Sequence, residues 1–238
     1  MAIWKSKNFE AWQQENPGKS FAQFYAETSA KKRREGRPHN NLGANLKKAE
    51  FGDSGVGLFR KIVALGLKPD HTLADYGCGT LRIGVHAMAY LEPGHYWGLE
   101  VSQDFLDEGR ELIGPELIEE KRPHLHAISP QSVAEAAAAS PDMVISTKVF
   151  NHVHPDELAT YFHNIMQLVG SSGKAYITGK WSEGEIVQHK ARSWTHSLSS
   201  MKRLVAGEGG KIEIVEQGDK AKIGDDVRIG IFSLLRDA

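Results

Sequence analysis

A single cysteine, Cys78, occurs in 238 residues, so no disulfide can form within the chain. One thiol without a partner suits a reducing compartment, and the cytoplasm is the expected setting. No stretch approaches the roughly 20 apolar residues that a membrane-spanning helix needs. The opening "MAIWKSKNFEAWQQ" also lacks the apolar run of a signal peptide. There are 11 histidines but neither H-E-x-x-H nor paired-cysteine spacing, so no structural or catalytic metal is expected. Net charge is scarce as well. A formal value of -1 gives the whole chain no pull toward nucleic acid or a membrane surface. Repeats are absent, and the one biased tract is "AEAAAAS".

Hydrophobic residues make up 40% and charged residues 25%, which suits a globular protein with a real core. The charge is unevenly spread. Residues 1–50 hold ten Lys or Arg against five Glu and no Asp, which leaves residues 51–238 at net -6. Helical patterns appear first: Trp4, Phe9 and Trp12, then "SFAQ", where Ser20 and Gln23 read as a capping box. Phe21, Phe24 and Tyr25 share one face of that second helix, which Gly36 and Pro38 should end. Residues 1–50 are therefore read as a helical N-terminal extension, a candidate lid, and 51–238 as the main domain.

From residue 51 helices and strands alternate. "TLADYG", "HYWGLEVS", "HLHAIS", "DMVIST" and "GKAYITG" read as five strands with helical segments between them. "HPDELATYFHNIMQLVG" is the best helix, with Pro155 in its first turn and Gly170 after it. At the C-terminal end "KIEIVEQ" and "VRIGIFSLLR" are strands with no room for a helix between them, so they should pair antiparallel. The expected fold is α/β: a doubly wound, seven-stranded, mostly parallel sheet with a reversed C-terminal strand.

The turn "DYGCGTLRIG" carries the chemistry. A dinucleotide-binding turn reads G-x-G-x-x-G and holds pyrophosphate on a helix N-terminus. Here Gly77 and Gly79 fill the first two positions, Arg82 fills the third, and Asp75 stands just before the turn. A carboxylate there repels pyrophosphate and attracts a cation. S-adenosylmethionine offers a sulfonium and an ammonium with no phosphate. Glu100, 21 residues past Gly79, ends the second strand and is placed to accept both ribose hydroxyls.

"DYGCGTLRIG", "YWGLEVS" and "DMVISTKVFNHVHPDEL" resemble class I S-adenosylmethionine-dependent methyltransferases, the last being similar to a stretch of bacterial small-molecule and sugar methyltransferases. The resemblance covers roughly residues 51–180. It implies that Asp75, Gly77, Cys78 and Gly79 line the methionyl end of the cofactor, with Glu100 on the ribose and Val101 against the adenine. The family often has a third glycine where Leu81 stands, and an acidic residue after the third strand where Ser129 or Gln131 would substitute.

His152 and His154 follow the fourth strand, where open α/β sheets place ligands. His154 precedes Pro155 and reads as a helix boundary residue. His152 is the candidate catalytic base for a hydroxyl acceptor, against a purely structural reading. Lys148 is carried among the binding residues with two readings open, a ligand contact or a solvated side chain. Cys78 reads as a small residue in a tight turn, with no base beside it. "STKVFN" lacks the "DPPY"-like motif of enzymes that methylate nucleic-acid bases, so a small-molecule acceptor is expected and nucleic acid is not. Two other classes stay open: a nicotinamide-dependent oxidoreductase, which Asp75 and Arg82 disfavour, and a non-catalytic nucleoside-binding module.

Overall fold

Strand and helix alternate from residue 55 onward in the computed structural model, which describes residues 7–34, 55–171, 173–190, 192–217 and 227–236. The first strand, β1 (Leu73–Tyr76), is the centre of the sheet. It pairs in parallel with β2 (Tyr96–Glu100) on one side and β4 (Met143–Thr147) on the other. The strand β3 (His124–Ala127) lies outside β2, and β5 (Lys174–Ser182) lies outside β4, both parallel. The chain thus winds outward from β1 to β3, then crosses back to β4. That reversal opens a crevice beyond the carboxyl ends of β1 and β4. All four residues of β1 are buried, because helices cover both faces of the sheet. Asp75 is the one carboxylate among them.

The C-terminal strand β9 (Val227–Arg236) runs antiparallel to β5, from Ala175 opposite Leu234 to Ser182 opposite Val227. It also pairs antiparallel with β8 (Gly210–Gln217). All seven expected strands are present with the expected reversal. A further hairpin was not expected: β6 (Val187–Lys190) and β7 (Ser193–Ser197) join the end of β5 through Trp181 opposite His196. Its strand β7 reads "SWTHS", too polar to signal a buried strand, yet Trp194, Thr195, His196 and Ser197 are all buried. Hydrogen bonds allow it. The His196 ring nitrogen Nε2 donates to the carbonyls of Phe150 (2.9 Å) and Val153 (3.2 Å).

One core layer packs Val144, Ile177 and Phe232 of the sheet against α8 (Leu158–Val169), whose Phe162, Ile165 and Met166 are fully covered. The opposite layer joins Leu73 and Tyr96 to Ile62 of α3 (Val56–Ala64), Met88 of α4 (Gly84–Tyr90) and Leu106 of α5 (Gln103–Ile113), which α6 (Pro115–Lys121) follows. Before the sheet come α1 (Lys7–Glu15) and α2 (Phe21–Arg34). The capping box at α2 is present: Gln23 donates its N–H to Ser20 Oγ (3.1 Å), and Ser20 donates its own to Gln23 Oε1 (2.8 Å). Gly36 and Pro38, expected to end α2, lie outside the described residues. These two helices form a third cluster in which Phe9, Phe21 and Phe24 close over Trp194. Burial of each such ring stabilises the docked helices by about 1.5–3 kcal/mol. Among the described residues no helix is long and apolar enough to cross a membrane.

Candidate active site

A cavity of about 540 Å³ opens at the carboxyl ends of β1, β2 and β4. Asp75, Gly77, Cys78, Gly79, Glu100, Val101, Lys148 and His152 all line it. Eight of the nine residues singled out from the sequence therefore share one space. Ser129 is the ninth, and it does not line the cavity. Its hydroxyl accepts the N–H of Ser132 (3.1 Å) and caps α7 (Pro130–Ala138), while Ile128 reaches the wall instead.

The turn after β1 is shaped by two glycines with positive φ. A side chain on Gly77 would strike Val149, so that position is closed by packing. At Gly79 (φ 60°) an added Cβ meets nothing within 4 Å, which leaves open space for a ligand. Leu81 also has a left-handed backbone (φ 61°) and is fully buried. Where the resemblance has glycine, this chain has a leucine in the left-handed conformation that glycine favours and fills the core with its side chain.

Asp75 is buried, and Tyr96 donates its hydroxyl to Asp75 Oδ2 (2.9 Å). Burial outweighs that bond and pushes the Asp75 carboxyl up to about 7, with the charge of Glu100 adding to it. Glu100 is raised to about 6, again chiefly by burial. Its oxygens accept the N–H groups of Gly79 (2.8 Å) and Ser102 (3.3 Å), tying the glycine turn to the end of β2. That second duty was not legible in the sequence. Two carboxylates kept dry and incompletely compensated fit a cation and hydroxyl donors. Burial also pushes the Cys78 thiol well above its ordinary value, as an inert residue requires.

Farther round the wall, His152 Nδ1 lies 2.9 Å from the carbonyl oxygen of Arg192. A carbonyl only accepts, so Nδ1 carries the proton and Nε2 keeps its lone pair. Among the described residues Nε2 has no hydrogen-bond partner. Burial lowers the His152 pKa, which keeps the ring neutral. His154 sits elsewhere: it caps the short turn Pro155–Glu157 and packs against Phe9, Phe21 and Trp194.

Sequence reasoning missed wall residues such as Tyr76 and Asn164, whereas Tyr25 was singled out with the aromatic face of the candidate lid. Tyr76 and Asn164 meet in that wall, with the Asn164 amide donating to Tyr76 Oη (2.9 Å). Ser20, Ala22 and Tyr25 reach the cavity from the N-terminal segment, and Tyr25 lies 6.2 Å from the His152 ring. Glu157 fastens that segment, its carboxylate accepting the backbone N–H groups of Phe21 and Ala22 (the latter at 3.1 Å). Arg192 adds a second tie, stacking its guanidinium 4.9 Å from Phe24 and 5.8 Å from Tyr25. Contacts between residues so distant in the chain leave no local signal.

Comparison with known proteins follows this geometry. Residues 74–175 match the family described as methyltransferase domain. A magnesium protoporphyrin IX methyltransferase from Synechocystis PCC 6803, solved with bound S-adenosylmethionine, is 14% identical with a TM-score of 0.58. The alignment covers 93% of this chain and 99% of that one. An S-adenosylmethionine-dependent methyltransferase from Anabaena variabilis is 13% identical, with 93% and 97% covered and a TM-score of 0.66. Phosphoethanolamine N-methyltransferase 2 from Haemonchus contortus is 14% identical, with 76% and 53% covered and a TM-score of 0.57. No curated protein sequence matches. The family match and the fold agree: residues 74–175 are similar to a methyltransferase domain, and the chain has the class I methyltransferase fold.

Proposed function

We propose that this class I methyltransferase binds S-adenosylmethionine in the cavity beside Asp75 and Glu100 and methylates a hydroxyl of a small molecule. The buried carboxylate pair supports the cofactor assignment, because a ligand with a cation and hydroxyl donors offsets its desolvation. When bound, that cofactor supplies a methyl group on a positively charged sulfur. Asp75 attracts its charged methionyl end, the open space at Gly79 admits its backbone, and Glu100 receives the ribose hydroxyls on its remaining lone pairs.

The observation that carries the oxygen acceptor is His152. A neutral ring with Nδ1 committed to Arg192 presents Nε2 to a substrate hydroxyl and takes its proton as the methyl transfers. The cofactor needs no covalent help, so positioning and exclusion of water do the rest. In this reading α1 and α2 are the lid, with Tyr25 closing the acceptor side and Glu157 and Arg192 holding it shut.

Methyl transfer to candidate hydroxyl acceptors, followed with labelled S-adenosylmethionine, tests the reading. His152→Ala should lower kcat by roughly 10²–10⁴-fold, with cofactor affinity unchanged. Wild-type kcat should fall on the acid side below the ordinary histidine range, and the variant should lose that limb. A variant with full kcat removes His152 as the base.

A further inference from the structure

The cavity wall divides by charge. Among the described residues Asp75 feels the carboxylate of Glu100 and no cation. Among the same residues Lys148 feels Arg82 and Lys180 and no carboxylate. Arg82 and Lys148 both line the cavity. Among the described residues no carboxylate comes within ion-pairing distance of Arg82, Lys148 or Lys180. The third acid of the wall, Glu157, is committed to the N–H groups of α2.

Lys148 is also held there by an uncommon backbone. It follows β4 directly and has φ 60°, a conformation that residues with a Cβ seldom adopt. Its N–H is pinned to the carbonyl of Thr178 (2.8 Å) on β5. Lysine gains nothing from that conformation by itself, and glycine or asparagine would fit it better. His152 stands four residues on and feels Lys180 as well, so the base and the cations share one neighbourhood.

We propose that Arg82 and Lys148, backed by Lys180, form an oxyanion site for the methyl acceptor, which therefore carries a carboxylate or phosphate beside the hydroxyl that His152 deprotonates. This rests on the reading of the cavity as a methyltransferase site. Two unpaired cations lining a partly enclosed cavity are offset by one anionic ligand, and the guanidinium of Arg82 suits a two-oxygen grip. An anion held there also orients the hydroxyl toward His152.

One other oxyanion would enter the cavity, the cofactor's own carboxylate, and the experiment separates the two. The full chain, saturated with S-adenosylhomocysteine, is titrated calorimetrically with benzoate, phenyl phosphate and neutral benzamide. At least one of the two anions should bind at least tenfold more tightly than benzamide. The double variant Arg82→Gln, Lys148→Gln should lose that preference, and Arg82→Lys, Lys148→Arg should keep it, with thermal melts confirming that both variants fold. Equal binding of the three probes, no binding of any, or a preference that survives the glutamine variant overturns the proposal. A glutamine variant that weakens S-adenosylhomocysteine tenfold, leaves 5′-methylthioadenosine (which lacks the carboxylate) unchanged and keeps the anion preference assigns the cations to the cofactor, and overturns it too. Failure of wild type to bind S-adenosylhomocysteine contradicts the methyltransferase site itself and shows separately, since the anion preference is then read on the free chain.

Discussion

Asp75 bears on stability through its shifted carboxyl and, in the proposed reading, on ligand choice as well. Its carboxyl rises from 3.8 to about 7 in the folded chain, mainly through burial. Between roughly pH 4 and 7 the folded chain therefore holds a proton that the unfolded chain has lost. The stability this group contributes falls as pH rises through that window, and stays low above it. Asp75→Asn removes the titration and keeps an acceptor for Tyr96. The melting temperature of the cofactor-free wild type, minus that of the variant, should decrease from pH 5 to pH 8. A flat or rising difference means Asp75 is not buried without compensation. Glu100 acts differently, because it braces the turn and lines the cavity where the proposed ligand sits. Glu100→Ala should lower S-adenosylhomocysteine affinity at least tenfold, the loss of charge-assisted bonds contributing about 1.5–3 kcal/mol each. Calorimetry giving unchanged affinity separates Glu100 from the ribose. The positions of these two acids were legible in the sequence, since a carboxylate at the end of an apolar strand is a local anomaly. Tyr76 and Asn164 were not, and Arg82 stood out only for the glycine it replaces, because their place in the cavity comes from what the fold brings beside them.

Elements were legible in proportion to how far their pattern departs from background. The strand β4 and the body of α8 carry strong apolar patterns and appear where expected, but α8 starts at Leu158, because Pro155–Glu157 form a separate 3-10 turn capped by His154. The hairpin β6–β7 was invisible because its buried positions include Thr195, His196 and Ser197, residue types that usually face water. That hairpin turns out to be the floor on which the N-terminal helices rest, through Trp194 against Phe21 (5.0 Å between ring centroids). The lid proposal is testable there. A chain beginning at residue 41 should keep cofactor binding and lose most methyl transfer. Because that truncation also uncovers Trp194, Tyr25→Ala is the sharper variant: it leaves the Phe21–Trp194 contact intact. It should raise the acceptor KM or lower kcat at least tenfold with S-adenosylhomocysteine affinity within about twofold. Unchanged transfer in both chains makes α1 and α2 a structural cover only.

Across the whole molecule, the parallel strands β1 to β5 place a crevice, the reversed strand β9 lies between β5 and β8, and Ser20, Ala22 and Tyr25 reach the cavity from the N-terminal segment. Acidic residues mark one part of the cavity and cations another, the arrangement that the proposed cofactor and acceptor call for. The direct measurement is a crystal structure of the full chain with S-adenosylhomocysteine. Both ribose hydroxyls should lie within about 3.2 Å of the Glu100 carboxylate, with the amino group of the methionyl end directed at Asp75 and the sulfur facing His152 across the acceptor space. A nucleoside bound away from Glu100, or a sulfur turned away from His152, contradicts the site and the reaction assigned to it.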